Sequence, residues 1–508
     1  MEARTLRRWP SVRRVNPPAH KMRVFSICSA VPIFYLCITV LLSFLPISVC
    51  CAEGNFWTQS QYTKTLNLGG AAAHFEIDIT ATPSVKAGQE SINYDLYLSK
   101  AENDLLSSLR AYLHAGGGET SNHELEILYL GPVDDDTIHY EVNVPVRYVV
   151  DEKNVKFVIH GATVHQSEPF PRSIQQSERQ LLLWKGDVMP RTAYVTKEAS
   201  VIVHTSDSIM NVTAPVKTTK SQNKITFGPY QDLAVYNGKS AAIPQGSVHY
   251  LYSKPVITYV DYDRQVQISH WGDNLATEDH IWVRNDGPKL KGHFNRAQNM
   301  LNLYSSPLSE RMSQILSLPI MLPADSKDVY FVDAVGNVST SRLAATPSVA
   351  GSLRRLELTP RFPILGGWNY TFTVGWNQPM STNGRARVNP LKPWRIRVAV
   401  PFLLSPKAVA VDEATLRIVL PEGARDIDIT LPFSVDSLTE EIFPTYLDTI
   451  GRPTFVLKRT KCTFRESKMV YIEYTLPWLA HMRKVFAVSI AALTIYFVSA
   501  LLRKQSKL

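Results

Sequence analysis

Short runs of alternating apolar and polar residues recur through most of this chain, and a side-chain period of two is the period of a β-strand. Tyr140, Val142, Val144, Val146, Tyr148 and Val150 fall on one face of such a run, with Glu141, Asn143 and Arg147 on the other. Pro145 cannot donate to a ladder, which marks that strand as an edge or a bulge. The same pattern covers Phe75 to Ile79, Phe157 to Ile159, Val201 to Val203, Val256 to Tyr259, Val266 to Ile268, Ile396 to Val400, Leu416 to Leu420, Ile427 to Leu431 and Val470 to Tyr474. Strands this short and this numerous, parted by turns, predict a mainly β protein built as antiparallel sandwiches with few helices. The clearest helix is expected to start at a capping box, Ser99 with Glu102, and run through Leu105, Leu106, Leu109 and Leu113 to a stop at Gly116-Gly117-Gly118.

Two apolar runs bracket the β-rich region. Cys28 to Leu45 follows a basic stretch and precedes Cys50-Cys51-Ala52, the layout of a signal peptide over residues 1–52 with its start at Met1 or Met22. Val485 to Leu502 is long enough for a transmembrane helix. Arg503, Lys504 and Lys507 then form the end of a cytosolic tail, 503–508, and the molecule reads as a type I membrane protein. The formal charge of +9 resides in these ends: residues 1–52 carry +6 and residues 483–508 carry +5, leaving −2 on the 430 residues between. That distribution argues for targeting and against a nucleic-acid partner.

Four of the five cysteines, Cys28, Cys37, Cys50 and Cys51, lie in or beside the leader. Cys462 alone remains, so the extracytosolic part has no internal disulfide and depends on its hydrophobic cores. The turn-rich segment Lys239 to Lys254 divides that part into two β-rich domains, 53–250 and 251–478. Acceptor sequons stand at Asn211, Asn337 and Asn369.

A catalytic set is not evident. H-E-x-x-H, G-x-S-x-G, G-x-G-x-x-G and Walker patterns are missing. His160, His165 and His270 lack an identifiable third metal partner, and the D-x-D spacings at Asp134, Asp261 and Asp426 read as solvated turns or wet strand faces. No cofactor is expected.

One segment is more specific. Pro360-Arg361-Phe362-Pro363-Ile364-Leu365-Gly366-Gly367-Trp368 follows Gly336-Asn337-Val338-Ser339-Thr340-Ser341 by about twenty residues, and together they resemble the ribophorin I family. Pro169-Phe170-Pro171, Gln176-Ser177-Glu178, Gly186, Phe227-Gly228-Pro229-Tyr230, Ser269-His270-Trp271-Gly272 and Leu420-Pro421-Glu422-Gly423-Ala424 follow the family's order, so the resemblance covers nearly all of 55–478. It implies a non-catalytic lumenal subunit of the oligosaccharyltransferase complex of the endoplasmic reticulum membrane. Its expected partners are the other subunits, among them a multi-span catalytic one bearing a W-W-D-Y-G motif, and nascent polypeptides. Asp273 departs from the family pattern, in which an Asn directly follows H-W-G. Read physically, Pro360, Pro363, Gly366 and Gly367 form a rigid bend that delivers Trp368 into a core or an interface. Ala487 and Ala491 form a small-xxx-small pair suited to helix packing in the membrane. A lumenal hydrolase and a surface adhesion receptor are the competing classes; the first needs a convergent acid, base or metal set and the second usually has disulfides.

Overall fold

The computed structural model describes residues 57–83, 90–114, 122–148, 154–236, 243–305, 313–345, 352–389, 392–445 and 448–505. The expected leader lies outside them. The protein is mainly β with one long C-terminal apolar helix.

Twenty strands form two copies of one pattern. In the first half these are β1 (Trp57–Leu68), β2 (Ala72–Pro83), β3 (Val155–Val164), β4 (Ser167–Pro169), β5 (Leu181–Asp187), β6 (Thr196–Thr205), β7 (Ile209–Thr213), β8 (Thr218–Lys220), β9 (Lys224–Leu233) and β10 (Gln245–Leu251). In the second they are β11 (Ile257–Ser269), β12 (Asn274–Asn285), β13 (Asn369–Pro379), β14 (Ala386–Asn389), β15 (Lys392–Pro401), β16 (Ala410–Val419), β17 (Arg425–Thr430), β18 (Ser437–Phe443), β19 (Arg452–Cys462) and β20 (Met469–Thr475). The larger sheets contain β8-β9-β6-β1-β2-β3 and β18-β19-β16-β11-β12-β13, and the smaller ones run β7-β10-β5-β4 and β17-β20-β15-β14. Adding ten to every label of the first half yields the second.

Each copy carries one parallel pair, β1 with β6 and β11 with β16, inside otherwise antiparallel sheets. The alternation read from sequence does not distinguish the two pairings. The two sheets of each half bury their facing side chains in one hydrophobic core, the first spanning Trp57 to Val256 with Ala410, the second spanning Tyr259 to Leu476.

Both halves are interrupted at the same place, between the second and third strands. The first insertion adds strands Leu106–His114, Asn122–Asp134, Thr137–Pro145 and Ser91–Ser99 to the larger sheet beyond β3. The second adds Lys327–Asp333 and Gly336–Asn337 beyond β13, plus a separate sheet of Leu318–Pro323, Leu353–Leu358 and Ser341–Leu343.

Two local expectations are overturned in the first insertion. Helix α1 covers only Lys100–Asp104, capped by the Ser99 hydroxyl on the Glu102 N–H, and Leu106–His114 is a strand. The leucine spacing suits a helix, but ladders to β3 and to Asn122–Asp134 on its two sides outweigh that local preference. Glu102 turns away from the cap to Lys64, 2.6 Å off. Pro145 is the last residue of a strand that lies between two others, so it marks an end and not an edge.

Besides Ala410 in the first core, polar contacts join the halves. Lys289–Leu290 pairs in parallel with Ser173–Ile174, and the His165 ring bonds Asp412 at 2.6 Å. Arg459 donates to the Ser107 carbonyl at 2.7 Å.

Candidate functional site

Apart from Asn211 in the first half, the sequence-derived positions fall in two places. The three sequon asparagines, Asn211 on β7, Asn337 in its two-residue strand and Asn369 opening β13, are all exposed. The Pro360–Trp368 segment closes the second insertion and leads into β13. Pro360, Ile364 and Leu365 are buried, whereas Trp368 is half-buried, edge-on to Phe294 at 5.7 Å and Phe362 at 6.1 Å.

Backbone contact explains the paired glycines. A Cβ on Gly366 would lie 1.9 Å from the Pro288 carbonyl oxygen, and Gly367 has φ +79. The Gly367 N–H donates to the Asn285 carbonyl at 2.7 Å, and the Asn285 side-chain amide donates to the carbonyls of Ser313 and Ile364 at 2.8 and 3.1 Å. Arg361 joins the two family blocks: its guanidinium pairs with Asp333 and donates to the carbonyls of Gly336 and Asn337 at 3.3 and 3.2 Å. With Arg361 against it, and with the N–H groups of Val335 and Gly336 and the Tyr370 hydroxyl donating to it, the Asp333 carboxyl is held down at about 2. The sequence reading missed Asp333 entirely.

The second place is the start of the C-terminal apolar helix. After β20 come a short helix α3 (Trp478–His481) and helix α4 (Arg483–Gln505), counting as α2 the helix Arg296–Ser305. The helix over Arg483–Arg503 is long and, between its basic ends, apolar enough to cross a bilayer, and none of it is buried within the chain. Ala487 and Ala491 lie in its first half, with the Thr494 hydroxyl donating to the Ile490 carbonyl at 2.7 Å.

Two family blocks some 150 residues apart converge on the start of this helix. The Trp271 ring stacks on His481 at 4.7 Å, tilted 2°, and its indole N–H donates to the His481 carbonyl at 2.9 Å. The neighbouring His270 ring bonds the Tyr474 hydroxyl at 2.6 Å; burial, and secondarily His481, push its pKa down to about 4. From the other block, Gly423 (φ +83) lets Ala480 approach: a Cβ there would lie 2.7 Å from that of Ala480. Glu422 accepts from the Thr449 N–H at 2.8 Å, its hydroxyl at 2.6 Å and the Ile450 N–H at 2.9 Å. Burial opposes its ionisation, yet these bonds hold its carboxyl below the usual value.

The basic residues at the head of α4 are tied into this frame. Arg483 faces Glu422 at 3.5 Å, Lys484 reaches Asp448 at 2.8 Å, and Arg452 takes the same Asp448 at 3.2 Å. A cavity of about 490 Å³ opens between Trp271, Pro421 and Leu476 on the β side and Lys484, Val485 and Val488 on the helix side. Asp448 carries no motif that could have flagged it.

Asp273, the departure from the family pattern, has φ +45 and accepts from the Ser381 N–H at 3.0 Å, so it fastens a turn to the end of β13. The D-x-D carboxylates serve locally: Asp134 accepts from the Asp136 N–H at 2.8 Å, and Asp263 pairs with Arg417 at 3.0 Å. Cys462 is fully buried, which pushes its thiol far up and leaves it protonated. Among the described residues no group of three or more His, Cys, Asp or Glu side chains is placed to hold a metal ion.

The ribophorin I family model matches residues 57–503, which takes in both copies of the strand pattern and the apolar helix. Subunit 1 of the dolichyl-diphosphooligosaccharide–protein glycosyltransferase of Caenorhabditis elegans is 25% identical over 403 residues, covering 79% of this chain and 64% of that protein. Subunit 1B from rice is 30% identical over 305 residues, 59% of each chain, and subunit 1B from Arabidopsis thaliana is 28% identical over 66% of this chain and 68% of its own length. The match thus spans less than two thirds of the worm and rice relatives.

Proposed function

The chain belongs to the ribophorin I family, and from that membership we propose that it is a non-catalytic subunit of the endoplasmic reticulum complex that transfers a dolichyl-diphosphate-linked oligosaccharide to Asn in N-x-S/T. The observation that carries this reading is the match over 57–503, because it includes the joint between β-domain and membrane helix as well as the β-domains.

In this reading residues 1–52 are a leader, 53–250 and 251–478 are two lumenal domains, and α4 anchors them with a cytosolic tail. The strand pattern supports the division, since its two copies end and begin at Leu251 and Ile257. The joint supports a scaffolding role. Stacked Trp271 and the ion pairs of Arg483 and Lys484 fix the second domain on the head of the helix, so the domain holds its direction relative to the bilayer and can guide acceptor chains toward a catalytic subunit. Catalysis itself is assigned to a multi-span partner. Rapid depletion of this chain tests the proposal: sequon occupancy on a secreted reporter should fall, and re-expression of the full chain should restore it. Unchanged occupancy after complete depletion contradicts it.

A further inference from the structure

The cavity at the head of α4 straddles two solvents. One wall is β-domain, with Trp271, Pro421 and Leu476; the other includes Val485, Val488 and Ser489 from the first two turns of the membrane helix. A site at that depth meets the headgroup and first methylenes of a lipid at once. Trp271, stacked on His481, and Trp478, three residues before that histidine, are 57% and 52% exposed, and amphipathic rings of this kind favour the headgroup region.

Charge selects among occupants. Arg452, Arg483 and Lys484 are arranged around two carboxylates, Glu422 and Asp448, and Asp448 is shared by Lys484 and Arg452. The cluster therefore keeps one cationic charge in excess, beside an apolar cavity. A segment of another membrane helix would fill the apolar part and leave that charge unanswered. One phosphodiester with an acyl chain answers both features.

We propose that the cavity between β11, the Leu420–Ala424 turn and the head of α4 binds one phospholipid of the adjoining leaflet, its phosphate beside Lys484 and Arg452 and its acyl chain along Val485 and Val488. This goes beyond the transferase reading and rests only on α4 as a membrane span, so the two can fail separately. Half-buried His270, which stays neutral at physiological pH, adds no further positive charge to the site. The bound lipid would pack the joint and help hold the β-domain against the bilayer.

The test uses the assembled protein in its own membrane. Val488→p-benzoylphenylalanine places a photoreactive ketone on the cavity wall, and Phe497→p-benzoylphenylalanine, on the exposed mid-span, reports bulk lipid. Phospholipid capture at 488 should exceed that at 497, and Lys484→Gln should lower it about fivefold, the worth of one basic residue near a lipid surface, without changing capture at 497. Ser489→Trp fills the cavity from the helix side while leaving every ion pair in place; it should lower capture as well, so a misfolded Lys484 variant does not decide the outcome. Capture of a protein segment at 488, capture no greater than at 497, indifference to Ser489→Trp, or displacement by excess inorganic phosphate would each overturn the assignment.

Discussion

At the scale of single residues, a few polar groups sit where water is excluded and depend on their partners there. Arg264 on β11 is fully buried, bonded through two nitrogens to Asp279 on β12 at 2.7 and 2.6 Å and over the Trp376 ring at 5.5 Å. Asp279→Asn would leave that guanidinium without its counter-charge, and the expected loss is about 3 to 5 kcal/mol, read as a drop in melting temperature of the extramembrane fragment. A melting point within a degree of the parent would mean that the charge finds another partner. In the bend, Gly366→Ala drives a methyl into the Pro288 carbonyl and should abolish correct folding. Trp368→Ala removes a half-buried ring and should cost less than the ~3 to 5 kcal/mol of a fully buried one. Equal losses for the two substitutions would show that the ring, and not the backbone approach, organises this segment. Little of this was legible beforehand. The glycines and prolines announced a bend, but Arg361 and Asp333 are partners across 28 residues, and no local pattern encodes such a pairing.

At the scale of elements, the strands were the most readable part, because half-buried strands leave a period of two in the sequence. The helix expected over residues 99–113 failed for the converse reason. Leucines at 105, 106, 109 and 113 match a helical face, yet the same residues serve a strand held on both sides, and only the tertiary partners decide. A C-terminal helix long and apolar enough to cross a bilayer was legible from its length and composition. Its seating was not, because it depends on the meeting of Trp271, Gly423 and Asp448. Gly423→Val should separate α3 from the Leu420–Ala424 turn, and Trp271→Ala should remove the stack on His481. Both are expected to raise proteolysis between β20 and α4 while leaving membrane insertion intact; protection equal to the parent would contradict the rigid joint. For Ala487 and Ala491 a separate expectation holds. If that face packs on a partner helix, Ala487→Leu with Ala491→Leu weakens co-purification without affecting insertion, since leucine is at least as favourable in the bilayer. Full co-purification would leave the helix as an anchor only.

At the scale of the whole molecule, two copies of one ten-strand pattern are joined by a polar seam that titrates. His165 has φ +52, a left-handed position that His tolerates better than most residues, and its ring lies 2.6 Å from Asp412 and 3.8 Å from Asp286. Burial alone would lower its pKa, but the two carboxylates outweigh burial and raise it. The group therefore adds stability that is fully present below the unfolded value near 6.5 and is lost as pH rises through its raised folded value. His270 has the opposite sense. Held neutral down to about 4, it lets stability fall as pH drops from about 6.5 toward 4. Melting curves of the extramembrane fragment across this range should lose an alkaline step in His165→Asn and an acid step in His270→Gln. The duplication was invisible to sequence inspection because strand order and direction are kept while side chains differ.

The central claim is that this chain serves a glycosyltransferase without performing the chemistry. It is tested most directly by purifying the full chain in mild detergent and measuring transfer of oligosaccharide from a dolichyl-diphosphate donor to an N-x-S/T peptide, before and after harsher detergent strips away co-purifying chains. The account predicts transfer by the intact assembly and none by the stripped chain. Transfer by the stripped chain alone, or an intact assembly with neither activity nor a multi-span partner, would contradict it.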